Sequence, residues 1–295
     1  MKRITRTIRW DKEFRAAMLA LDEQTGAAKP LPISVSGLSD GARDAFLAEC
    51  LGRADAQGAQ AVFVHDEAEA VAVTAMLQRE GIAALRFPQR DFVFLNISSS
   101  HDTERERLSV LCRLLTGERV TVVTTPYAAL QRTMPPSFLN ERFCRLRATE
   151  QISPAALAAR LVKLGFVRVD LVEGVGQFAL RGGIFDLYPA ASDAPVRLEF
   201  FGDEIDRMAY FDPMTQRVSD ACEEILLSPA RETVIDAEGR QRVSEAHRAL
   251  MRASGDPETV SELAAECALL SGEGDVPFAD RYMDLLYEEH ATLRS

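Results

Sequence analysis

The sequence of 295 residues lacks any long uncharged apolar run, contains no Cys-x-x-Cys pair, and holds only 4 histidines and 7% aromatic residues. Without an apolar stretch of about 20 residues there is no membrane-spanning helix to read. Lys2, Arg3, Arg6 and Arg9 follow Met1, but the apolar core of a secretory signal does not come after them. The five cysteines, at positions 50, 112, 144, 222 and 267, are dispersed and have no histidine at a zinc-ligand spacing. They read as reduced thiols of a cytoplasmic protein, with no metal and no cofactor expected. Positive charge is scarce too: 34 Lys and Arg against 45 Asp and Glu give a net charge of -11, which argues against the chain as a whole gripping a phosphate backbone. What remains, 47% hydrophobic and 27% charged, is the composition of a globular chain long enough for two or three compact domains.

The order of patterns predicts an α/β fold. Residues 1–30 carry a helical period in Trp10, Phe14, Met18 and Leu21, an amphipathic lead-in helix that breaks at Gly26 and Pro30. From residue 31 strands and helices alternate: PISVSG, SDGARDAFLAECLGRA, AQAVFVH, DEAEAVAVTAMLQREG, IAALRFP, HDTERERLSVLCRLLTG and RVTVVTTPYAAL. Short Val-rich runs between amphipathic helices indicate a Rossmann-like parallel sheet over residues 31–149. Ser153-Pro154 then opens a helix, since a serine cap followed by proline at the first helical position is a strong start signal. Residues 150–217 become strand-rich, with FVRVDLV, GQFALRGGIFDLYP and APVRLEFFGDEIDRMAYFD. Alternation in VRLEFF and the Gly202-Asp203 turn signal indicate antiparallel hairpins, hence an inserted α+β domain. Residues 218–295 return to helix and are rather acidic.

Two segments bear on chemistry. The stretch SVSGLSDGARDAFLAE stands where a phosphate-binding loop would stand, between an apolar strand and a helix. Gly37 fits the first glycine of that motif, but the loop continues through Gly41 to Ala42 in place of the second glycine, Arg43 in place of lysine and Asp44 in place of the magnesium-holding hydroxyl. A carboxylate there repels phosphates, so nucleotide binding is not expected at this loop. The histidines carry no site either: His65-Asp66 and His101-Asp102 read as helix starts with acidic first turns, His247 lies within a helix, and His290 sits in an acidic tail. In the second segment, residues 176–217, the strand FALR puts Phe178 on a core face and Arg181 on the opposite, solvated one. Gly182-Gly183 allows a turn or a bulge, and Glu199, Asp206 and Arg207 read as members of a solvated hairpin face.

GQFALRGGIFDLYPAASDAPVRLEFFGDEIDRMAYFDPMTQR resembles the signature of the domain shared by UvrB and the bacterial transcription-repair coupling factors, departing from it mildly at Gln177 and Tyr188. The resemblance implies the UvrB-like module of a coupling factor, with the α/β domain, the inserted UvrA-binding domain and a helical return completing the first domain. It also implies a non-catalytic role, recruiting UvrA in transcription-coupled nucleotide excision repair, with Arg168, Arg181, Phe185 and Arg197 at the recognition positions. The family's own C-terminal domain can mask the same surface. RNA polymerase and DNA engage the family through a polymerase-interaction domain and ATP-driven motor domains whose motifs do not occur in these 295 residues. UvrB differs by a tyrosine-rich DNA-gripping hairpin. The stretch FPQRDFVFLNISSSHDTERERLSVL has Phe92 and Phe94 but no tyrosine. The rival reading is an ATP-binding, UvrB-type helicase fragment that contacts damaged DNA.

Overall fold

The computed structural model describes residues 6–25, 29, 31–52, 58–90, 101–272, 276, 279–287, 289 and 291–293. Phe92, Phe94 and His290 lie outside them. The chain divides into two compact units, residues 1–88 with 117–126, and residues 89–116 with 127–295.

The first unit is built on a three-stranded parallel sheet, β1 (Gln60–Phe63), β2 (Ala84–Phe87) and β3 (Thr121–Thr124), in the order β1-β3-β2. TVVT takes the centre because all four of its residues are buried, the environment that branched side chains fill best in a parallel sheet. Helices α1 (Lys12–Thr25), α2 (Asp40–Leu51) and α3 (Glu67–Arg79) accompany it. Helix α3 starts at the place read from His65-Asp66, and the structure adds that the Asp66 carboxylate caps it by accepting the Glu69 amide at 2.8 Å. Ala70, Val73 and Leu77, at helical spacing, share a core with Ala84 and Val123.

One expected strand does not form. Residues 31–39, including PISVSG, have no regular secondary structure, and Leu31, Val35 and Leu38 are exposed. A strand in a parallel sheet needs a ladder partner and cover on both faces. β1, the edge it would join, has Phe63 at 59% exposure and offers no such cover.

The second unit holds a six-stranded sheet in the order β10-β9-β8-β7-β6-β5, from β5 (Val167–Arg168), β6 (Gln177–Arg181), β7 (Ile184–Leu187), β8 (Val196–Phe201), β9 (Glu204–Phe211) and β10 (Val218–Ala221). The two predicted turns are where the sequence put them: Gly182 at φ +62° joins β6 to β7, and Gly202 at φ +64° joins β8 to β9. FVRVDLV is a strand for two residues only, because Val172 turns back to pack with Ala179 and Phe211. Helix α4 (Pro154–Lys163) begins as read, with the Ser153 hydroxyl accepting the Ala156 amide at 3.2 Å. Its Leu157 and Leu161 join Phe178, Phe185, Leu198 and Met208 in the main core.

β4 (Cys144–Arg147) pairs antiparallel with β11 (Glu224–Leu227), a ladder across almost eighty residues of sequence that the composition of CRLR does not advertise. Leu146, Ile225 and Leu227 point into the same core as α4, and Glu224 meets Arg145 and Arg147 outside it.

The rest of the unit is helical: α5 (His101–Leu115), α6 (Pro136–Arg142), α7 (Ala237–Ala253) and α8 (Pro257–Leu270). Leu108 and Cys112 of α5 share a core with Leu139, Val243, Leu270, Met283 and Leu286. Val243, Leu270, Met283 and Leu286 of the tail are therefore packed with residues of α5 and α6.

Candidate functional site: one face of the six-stranded sheet

Cα partners in neighbouring strands carry their side chains on the same face. Register across the sheet therefore places Arg181, Ile184, Glu199 and Arg207 in one row over β6, β7, β8 and β9. The next row inward on that face is Ala179, Asp186, Arg197 and Ala209. The outer row lies beside the two glycine turns and is open: Arg181, Ile184 and Arg207 are exposed, and Phe201 at the β8 end is 81% exposed. The inner row is closed by the small apolar cluster of Val172, Ala179 and Phe211.

The rows are tied together by a buried carboxylate. Asp186 has no exposed surface, yet it accepts from Arg181 Nη2 at 2.7 Å and from Arg197 Nε and Nη2 at 2.7 and 2.9 Å. Burying a carboxylate is costly unless charged donors satisfy it, and two forked guanidiniums do so here. The Arg197 guanidinium lies 4.8 Å from the Phe211 ring centre and also reaches the Gln216 carbonyl at 3.4 Å. Its hydrogen bond to Asp186 raises its pKa further above the ordinary guanidinium value, against the opposing effect of burial. Arg181 is different, because its side chain keeps 48% of its surface in water. The carboxylate thus anchors one end of an arginine whose other side faces outward.

The four positions singled out by resemblance are consequently not equivalent. Arg181 stands on the open row. Arg197 has only 16% of its side chain exposed and is a structural partner of Asp186. Phe185 has no exposed surface at all: it stacks on Phe178 with centroids 5.5 Å apart and borders Phe200, inside the main core. As a direct contact it is corrected here, because alternation along β7 turns Phe185 inward and sends its neighbour Ile184 out. Arg168 is exposed on the edge strand β5, in register with Phe178 and so on the other alternation from Arg181. Asp186 escaped the sequence reading: an acid between Phe185 and Leu187 differs in no local way from a solvated one.

At residues 37–44 the structure brings no phosphate cradle together. Gly37 has φ +79° with open space around it, and Arg43 donates to Glu69 at 3.0 Å beside Asp44 at 3.8 Å. A guanidinium held between carboxylates is a poor substitute for the lysine of a phosphate loop. Among the described residues no group of three His, Cys, Asp or Glu side chains could hold a metal ion, and no helix is long and apolar enough to cross a membrane.

A second charged cluster lies buried in the second unit. Glu232, fully buried, meets Arg107 Nε at 2.8 Å and Arg90 Nη2 at 2.7 Å, and accepts the Thr133 hydroxyl at 2.5 Å. Burial alone would raise its pKa, but the two guanidiniums more than offset this and bring it down to about 2. A signal for it existed in the sequence, since Glu104, Arg107, Leu108, Leu111, Cys112 and Leu115 fall on one stripe of α5 at spacings of three and four.

The sheet that carries the candidate site defines the class. Residues 144–232 match the UvrB interaction domain family, and the match begins at β4 and ends just beyond β11, so the chain carries a UvrB interaction domain. More widely, the chain is similar to the transcription-repair-coupling factor of Bacillus subtilis (strain 168), 31% identical over 251 residues that are 83% of this chain and 20% of that protein. The factor from Myxococcus xanthus is 36% identical over 168 residues, 56% of this chain and 14% of the relative. UvrABC system protein B of Thermosipho africanus is 28% identical over 156 residues, 52% of this chain and 23% of its own length. The chain thus spans about a fifth or less of the coupling factors it matches. The resemblance read from residues 176–217, to the UvrB-like module of coupling factors, is borne out by these matches.

Proposed function

We propose that this chain is a docking module that recruits UvrA through the open row Arg181, Ile184, Glu199 and Arg207, with Phe201 at its margin and Arg168 outside that row on the edge strand, and that it performs no catalysis itself. The observation that carries this reading is the coincidence of the matched interaction domain with a sheet face whose exposed arginine is held in place by a buried carboxylate. Such a face suits recognition by charge pairing around an apolar contact: the arginines meet carboxylates of the partner while Ile184 supplies a desolvated centre. The Arg43-Glu69 pairing and the lack of a strand at residues 31–39 speak for a non-catalytic α/β domain rather than for the ATP-binding alternative. In this reading the parent protein is an ATP-driven translocase that brings UvrA to stalled RNA polymerase in a cytoplasmic repair pathway, a setting that five free cysteines suit. The same face can be covered by the parent's C-terminal domain.

Titrating UvrA against the chain by calorimetry tests the proposal. The Arg181→Ala, Ile184→Ala double variant is expected to bind about thirtyfold more weakly, the effect of losing about 2 kcal/mol from one interface centre. Unchanged affinity in a variant with native circular dichroism would refute the site, and absence of binding by the unaltered chain would refute the partner.

A further inference from the structure

Away from the sheet face, the second unit contains a cavity of about 460 Å³ lined by Arg90, Tyr127, Leu130, Gln131, Arg132, Arg281, Met283 and Asp284. Its size falls within the range of small-molecule sites. Its composition is unusual for a chain of net charge -11, because three guanidiniums and one carboxylate line it.

The floor is built rigidly. Gln131 accepts the Arg90 amide at 2.6 Å and donates to the Arg90 carbonyl at 2.9 Å, which fixes the backbone there, while the Arg90 guanidinium is held by buried Glu232. The rim is more open to water. Arg132 meets Asp284 at 2.8 Å with side chains 41% and 63% exposed, and Arg281 meets Glu266 at 3.7 Å. An exposed pair such as Arg132–Asp284 is worth about 0–1 kcal/mol, so a ligand of higher charge can take the place of Asp284. Beside the rim arginines, Tyr127 and Leu130 present side chains that are 60% and 68% exposed, and Met283 forms an apolar wall. Guanidinium forks suit phosphate oxygens, and an exposed aromatic ring beside them suits the face of a base.

We propose that this cavity binds a nucleoside phosphate, with the phosphate on Arg132 and Arg281 and the base against Tyr127, taken either as a free mononucleotide or as one nucleotide of a single strand. The site is distinct from residues 37–44 and does not depend on the docking of UvrA.

Calorimetric titrations of the full chain with adenosine monophosphate, with a short oligothymidylate and with inorganic phosphate test it. Saturable binding of the mononucleotide identifies the free ligand as source, and binding of the oligonucleotide alone identifies the strand. Either result is expected to weaken at least about tenfold in the Arg132→Ala, Arg281→Ala variant. Tyr127→Ala, at an exposed position, should weaken the nucleotide and leave inorganic phosphate unchanged. No saturable binding of nucleotide or oligonucleotide at millimolar ligand, or binding that both variants retain in full, overturns the proposal. UvrA affinity should be unaltered in these variants, which keeps this test separate from that of the docking face.

Discussion

Replacing Glu232 by glutamine keeps the shape of the side chain but removes the charge on which two buried guanidiniums converge. Arg107 has no exposed surface, Arg90 has 8%, and both lie within 2.8 Å of Glu232 Oε2. Removing one partner of a buried pair costs about 3–5 kcal/mol, because the remaining charge stays desolvated. The carboxylate supplies a second, independent estimate. Its pKa falls from 4.5 to about 2 in the fold, a gap worth about 3 kcal/mol. Since the folded value is the lower one, the ionised form is the one the fold holds. Its contribution is complete above about pH 4.5 and is lost as pH falls toward 2. Urea unfolding of the wild-type chain and Glu232→Gln, followed by far-ultraviolet circular dichroism, should therefore give a stability difference of about 3 kcal/mol near neutral pH. That difference should shrink to less than half at about pH 3. A difference under about 1 kcal/mol at neutral pH, or one that does not change on acidification, would refute the assignment of Glu232 as an ionised buried partner.

Asp186→Ala should cost about 3 kcal/mol, toward the lower end of the range for buried pairs because Arg181 can turn to water, and the same urea titration measures it. It should also weaken UvrA binding, since Arg181 loses its anchor; a variant with full stability would show that the arginines do not need the carboxylate. Phe185→Leu tests the core placement of that ring: it should lower stability by about 1 kcal/mol and leave UvrA affinity intact once folded, whereas loss of affinity at unchanged stability would return Phe185 to the interface.

Much of the fold was legible because its signals are local. Ser153-Pro154 marked a helix start, Asp66 capped α3, Gly182 and Gly202 marked the hairpins, and alternation in VRLEFF set the strand faces. A turn conformation or a cap is decided by a few adjacent residues, so the chain states it directly. The failures share the opposite property. PISVSG has the composition of a strand but no partner, and Cys144–Arg147 has an uninviting composition but a partner at Glu224–Leu227.

The same division runs through the candidate site. The sequence by itself determined that the UvrB-like segment forms antiparallel hairpins with Arg181 facing water, and that residues 37–44 lack the groups of a phosphate loop. Only the tertiary structure decided that Phe185 is core, that Arg197 serves Asp186, and that Glu232 and Arg107 are buried together. Whether a side chain is desolvated depends on what distant strands and helices bring over it, and the free energy of a charge turns almost entirely on that covering.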